Sequence, residues 1–136
     1  MRKINYIAVH CTAGNQNAKV ADLLKEFQRK GWKNPGYHYV VTADGVIHQL
    51  LDDDKESNGV KGFNAHTINI AYTGGIDLCT GKPLDNRTEG QRSSLRTILR
   101  VMRSLYPDAV IQGHRDFPNV AKACPSFDAK KEYADI

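Results

Sequence analysis

The run Tyr6-Ile7-Ala8-Val9 narrows the possible folds more than any other feature of this chain, because no polar residue interrupts it. A strand with one wet face alternates apolar and polar side chains, whereas a strand covered on both faces does not. The reading is a buried strand over residues 4–10 that ends on His10. Side chains alternate along a strand, so Cys11 points to the face opposite His10 and Thr12 returns to it. A second apolar run, Ala109-Val110-Ile111, predicts another strand through Gln112.

Between these runs the periodicity changes. Val20, Leu23, Leu24 and Phe27 fall at i, i+3, i+4 and i+7, which predicts an amphipathic helix over 18–30, stopped by Gly31. Strands are expected over 37–42 and 46–51, joined by Ala43-Asp44-Gly45, because Asp-Gly tolerates the positive φ a tight hairpin needs. Residues 52–64 read as a charged, glycine-punctuated loop. Ile68, Ile70 and Tyr72 alternate with Asn69 and Ala71, giving a strand over 67–73. Thr88 and Gln91 form a capping box for a helix running to about residue 105, with Leu95, Ile98, Leu99 and Met102 inward and Pro107 beyond its end. A short helix over 126–134 closes the chain. The order β-α-β-β-β-α-β-α predicts an α/β fold: one mixed central sheet of about five strands flanked by helices. With 136 residues, the chain is expected to form one domain, 1–136.

Composition removes several function classes. Lys and Arg number 19 against 15 Asp and Glu, a net charge of +4 that is scattered and does not require nucleic acid as a partner. No apolar run approaches the roughly 18–20 residues of a membrane span. The basic start is followed by too short an apolar stretch for a signal peptide, so synthesis in the cytoplasm is expected, with any release depending on help from outside the chain. Three cysteines, Cys11, Cys79 and Cys124, argue against a disulfide framework.

The chemistry concentrates between Gly113 and Pro125, where His114, Lys122 and Cys124 bring an imidazole, an amine and a thiol. His114 and Cys124 are two potential zinc ligands. If the strand ending on His10 lies beside the strand ending on Gln112, His10 becomes a third. A structural zinc site takes four protein ligands, whereas a hydrolytic one takes three and leaves a position for water. Asp116 is the only nearby rival for a fourth. Zinc held in this way lowers the pKa of its water towards ~7 and polarises a carbonyl, which suits hydrolysis of an amide or ester. Lys122 or Tyr37 can donate a hydrogen bond to the developing oxyanion.

Taken singly, each residue has an ordinary explanation. A lone cysteine is more often a small buried hydrophobe than a ligand. A lone lysine is usually solvated, and a strand tyrosine usually packs. Cys11 reads as core, Cys79 as a loop thiol, and His38 and His48 as strand residues without chemistry. Trp32 and Phe63 are aromatic residues that either contact a ligand or simply pack.

Five segments then carry a resemblance. Val9-His10-Cys11-Thr12, Gly36-Tyr37-His38-Tyr39, Gly62-Phe63-Asn64, Gly74-Gly75-Ile76-Asp77 and Lys122-Ala123-Cys124-Pro125-Ser126-Phe127-Asp128, in that order, resemble the zinc-dependent N-acetylmuramoyl-L-alanine amidases. More narrowly, the chain is similar to the short bacteriophage lysozyme-type members, relatives of the peptidoglycan recognition proteins. The resemblance implies cleavage of the amide between N-acetylmuramic acid and L-alanine, with one Zn²⁺ on His10, His114 and Cys124. It implies Tyr37 and Lys122 as catalytic helpers, Tyr37 rather than Tyr39 on the family's pattern. Thr12, Phe63 and Asn64 are assigned to the substrate groove, with His66 either lining it or standing on the surface. The implied partner is peptidoglycan or a muropeptide, met by a monomer without nucleic acid or membrane. The role is that of a bacteriolytic endolysin released with a holin, or of a cytoplasmic muropeptide recycler. A non-catalytic peptidoglycan-binding module is the alternative. One departure stands out: Ser57-Asn58-Gly59 occupies the place where relatives often carry a histidine-bearing Ser-His-Ala.

Overall fold

The uninterrupted strand lies inside a five-stranded sheet, one position from its edge. The elements are β1 (Tyr6–Cys11), α1 (Val20–Arg29), β2 (Tyr39–Val41), β3 (Ile47–Gln49), β4 (Thr67–Tyr72), α2 (Glu89–Leu105), β5 (Val110–Gly113) and α3 (Ala129–Glu132). Short 3₁₀ turns at Asn64–His66 and His114–Asp116 were not anticipated from the sequence. The structure, a computed structural model, describes residues 2–136.

The strand order is β3-β2-β4-β1-β5. β1 runs parallel to both β4 and β5, β2 runs parallel to β4, and only the β2–β3 hairpin is antiparallel. The C-terminal ends of four strands therefore open at one edge, where parallel sheets present their ligand sites.

The two faces of the sheet are covered differently. Ile7, Val9, Cys11, Ile68, Ile70 and Tyr72 pack with Leu95, Ile98, Leu99 and Met102 of α2 in the main core. The opposite face of β1 is roofed by loops, with Ala8 against Val60 and Phe117 in a smaller cluster. His10, His38, Ser57 and Asn69 are also buried. A loop roof leaves backbone and side-chain polar groups that must find partners, and buried polar residues can supply them.

Two expectations change. The stripe on α1 is not a core face: only Phe27 is buried, Leu24 is exposed, and Leu23 lines an open cleft with Thr12 and Ala13. The closing helix is a single turn that begins at Ala129, three residues later than expected, because the backbone at Ser126 is left-handed, with φ 71°; of the two residues expected near its start, Ser126 and Asp128, it is Asp128 that provides the cap.

The capping box of α2 does more than cap. Thr88 Oγ1 accepts from Gln91 N at 3.1 Å, and Gln91 Oε1 accepts from Thr88 N at 3.0 Å. The Gln91 amide then donates to Val41 O at 3.1 Å and Thr73 O at 3.0 Å, tying the helix start to the ends of β2 and β4. Gln91→Ala removes half the cap, orphans Thr73 O and leaves Val41 O with the Thr73 N–H alone, so urea denaturation is expected to show a loss of about 2 kcal/mol at unchanged m. A loss below about 0.5 kcal/mol, the range of an ordinary surface change, would show that the bond to the sheet is dispensable.

Candidate metal centre

His10 ends the buried run of β1, and His114 follows β5 directly. The two strands are parallel neighbours with Val9 beside Gly113, so both imidazoles emerge at the same edge. Their ring centroids are 4.7 Å apart. Cys124 arrives from the loop and is held there from two sides: its carbonyl accepts from Arg115 N at 2.9 Å, and its sulfur accepts from Cys11 N at 3.2 Å.

The ligand atoms of His10, His114 and Cys124 lie within 4.8 Å of one another, and among the described residues no other His, Cys, Asp or Glu joins the group. Asp116, the candidate for a fourth position, instead accepts from Gly113 N at 2.9 Å and caps the turn. Zinc bonds of about 2.0–2.3 Å place tetrahedral ligand atoms roughly 3.3–3.8 Å apart. Cys124 Sγ is 3.8 Å from His10 Nδ1, which fits.

The electrostatics suit the same ion. Burial, with His114 adding to it, lowers the His10 pKa to about 3, and burial with Lys122 lowers that of His114. Both rings are neutral, the form that has a lone pair to give. The Cys11 thiol and burial hold the Cys124 thiol above its ordinary value, while the Cys11 N–H and Lys122 pull the other way. Such a sulfur ionises when a cation is there to receive it.

The group opens into a cleft of about 290 Å³ whose walls include Thr12, Trp32, Tyr37, Asn58, Gly59 and Lys122. Tyr37 is half-buried between His10 and Phe27, and its hydroxyl donates to Cys11 O at 3.4 Å. Burial raises its pKa, so it remains a neutral donor. Lys122 is exposed on the wall and is shared with a neighbouring cavity that includes Trp32, Lys61, Phe63 and Val120.

The groove residues divide. Thr12 lines the cleft while its hydroxyl accepts from Gly74 N at 3.0 Å. Phe63 borders the neighbouring cavity and packs edge-on against Tyr6 and Phe117. Asn64 is turned into its own loop, with Oδ1 accepting from Gly59 N and Val60 N at 3.1 and 2.7 Å. His66 is not brought to the cleft: it sits at the N-terminal end of β4, its Nδ1 2.9 Å from Lys3 O, at the opposite end of the sheet from His10.

Asn69 is a site residue that the alternation over 67–73 does not reveal: the pattern makes it the polar side of a strand, yet its Oδ1 lies 2.7 Å from His10 Nε2 in the interior. The available signal was its pairing: a polar residue in an inner strand, beside Ala8 and on the face of His10, has no water to meet. His38 is also more than a strand residue, because its Nδ1 accepts from Asn69 N at 3.0 Å.

A family described as N-acetylmuramoyl-L-alanine amidase matches residues 1–127. The chain is 37% identical over 125 residues to an endolysin of Enterobacteria phage K11, covering 90% of this chain and 81% of the phage protein. Among solved structures it resembles the Ph2119 endolysin from the Thermus scotoductus MAT2119 bacteriophage, with a TM-score of 0.80, 25% identity, and coverage of 99% of this chain and 85% of that one. The fold is shared with Apis mellifera PGRP-SA, at a TM-score of 0.78, 18% identity, and 99% and 84% coverage.

Proposed function

This chain belongs to the N-acetylmuramoyl-L-alanine amidase family, and from that membership we propose that residues 1–136 form one zinc-dependent amidase domain acting on peptidoglycan. The bond hydrolysed is the amide between N-acetylmuramic acid and L-alanine. The observation that carries the zinc reading is the meeting of His10, His114 and Cys124 around one point with the cleft on the remaining side. Those three residues would hold the ion, which when bound supplies an acidified water and a polarised carbonyl.

The chain's own residues do the rest. Tyr37 offers a neutral hydroxyl and Lys122 an ammonium on the cleft walls, and each donates to the oxygen that gains charge as water adds to the amide carbon. Among the described residues no carboxylate lines this cleft, so Lys122 is the acid assigned to the departing L-alanine amine. Thr12 and Phe63 border the space where sugar and stem peptide would lie. The endolysin relatives support a lytic role. The proposed form is a monomer made in the cytoplasm and released to the wall with a holin. Among the described residues no helix is long and apolar enough to cross a membrane.

The test is digestion of purified sacculi by the zinc-loaded protein. New L-alanine amino termini without new reducing sugar ends are expected. Zinc-loaded protein that sediments with sacculi but frees no amine would overturn the enzymatic reading and leave a binding module.

A further inference from the structure

We propose that Asn69 is a positioning residue for the metal centre: it selects the ring tautomer of His10 that leaves Nδ1 free for zinc, and Gly59 is bare because the Asn69 amide fills the space of its side chain. The inference rests on the zinc reading above and deepens it.

Backbone N–H groups, which only donate, fix the orientation of both amides. Gly59 N–H and Val60 N–H both point at one atom of Asn64, at 3.1 and 2.7 Å, so that atom is the amide oxygen. The same oxygen lies 3.4 Å from the Asn69 amide, so the Asn69 atom facing it is the NH₂ group. That group also donates to Ser57 Oγ at 2.7 Å. The other end of the amide is then Oδ1, 2.7 Å from His10 Nε2. An amide oxygen only accepts, so Nε2 carries the proton and Nδ1 keeps its lone pair, facing Cys124. With the opposite tautomer the Nδ1 proton would occupy the position of the metal bond. Polar partners behind a ligating imidazole orient it in this way in metal sites generally.

The backbone of Asn69 is fixed as well. Its N–H donates to His38 Nδ1, and His38 Nε2 in turn lies 2.7 Å from Lys55 O. Space completes the device. A Cβ on Gly59 would come within 2.2 Å of Asn69 Cγ, far inside contact, and the atoms it meets belong to a buried side chain with both ends bonded. The Ser57-Asn58-Gly59 departure thus coincides with a bulky amide reaching in from β4.

The experiment compares zinc affinity, by chelator competition, for the wild-type protein, Asn69→Leu, Asn69→Asp and Gly59→Ala, alongside the cobalt absorption spectrum of each. Asn69→Leu and Gly59→Ala are expected to weaken zinc binding about 10–100-fold, while Asn69→Asp, which keeps an acceptor for Nε2–H, stays within a few-fold and keeps the wild-type cobalt spectrum. Nitrogen-correlated NMR of the metal-free wild type is expected to show the His10 proton on Nε2, a readout that no unfolded variant can obscure. If the wild type binds no zinc, the proposed function fails. If it binds zinc while His10 is protonated on Nδ1 in the metal-free protein, or while Asn69→Leu binds as tightly, the positioning role alone is overturned.

Discussion

Cys124→Ser is expected to lose zinc and turnover together. A serine hydroxyl stays protonated near neutral pH and is a poor ligand for zinc, which takes ionised sulfur. The Cys11 N–H that points at the sulfur from 3.2 Å would then meet a shorter side chain that needs no charge stabilised. Metal-ion catalysis supplies several kcal/mol of transition-state stabilisation, so amine release from sacculi should fall by about a thousandfold or more, equivalent to roughly 4 kcal/mol. Metal content per chain should fall in parallel. The neighbouring cavity walled by Trp32, Phe63 and Val120 does not include Cys124, so binding to sacculi through it should persist. A variant that keeps near-wild-type turnover would exclude Cys124 as a ligand that catalysis needs.

Arg87→Met is expected to destabilise the fold strongly. The Arg87 side chain has no exposed surface and makes paired hydrogen bonds to two carboxylates: Asp85 at 2.9 and 2.9 Å and Glu132 at 2.7 and 2.9 Å. Its guanidinium also lies 3.4 Å over the Phe127 ring and donates to Tyr133 Oη at 3.1 Å. This cluster clamps the segment after Cys124 against the start of α2. Removing one partner of a buried pair leaves uncompensated charge, at a cost of 3–5 kcal/mol; because both carboxylates are partly exposed, about 3 kcal/mol is expected at pH 7.

The pH dependence has a definite sign. Hydrogen bonds from Arg87 hold the Asp85 and Glu132 carboxyls below their ordinary values. Their contribution is present above the unfolded values, near 3.8 and 4.5, and is lost as pH falls through the folded ones. Arg87→Met lacks it at every pH. The gap between wild type and variant in denaturant titrations should therefore narrow below about pH 4. A gap that stays constant down to pH 2 would assign the loss to packing on Phe127 instead.

Much of the site was legible in the chain because its signals are local. An unbroken apolar run ending on a histidine predicts a covered strand with an imidazole at its tip, and β1 is that strand. The capping box at Thr88 and Gln91, the hairpin at Asp44-Gly45 and the alternation over 67–73 depend on neighbours a few residues away, and each appears where expected. The stripe on α1 misled because amphipathic spacing shows that a helix has an apolar side, not what covers it. For His66 the sequence left groove and surface open, since it sits close in the chain to Phe63, a border residue of the cavity; a 3₁₀ turn sets it at the surface at the N-terminal end of β4.

From the residues alone came the elements, the alternation that sets His10 and Cys11 on opposite faces, and the set of atoms able to bind a metal. These follow from backbone geometry and side-chain chemistry, which are properties of short stretches. Only the folded chain decided that β1 lies against β5 rather than at an edge, that Asp116 is used up in capping its own turn, and that Asn69 backs His10 in the space Gly59 leaves open. Strand neighbours and buried hydrogen-bond partners are chosen by contacts between segments far apart in the chain, and no local pattern encodes that choice.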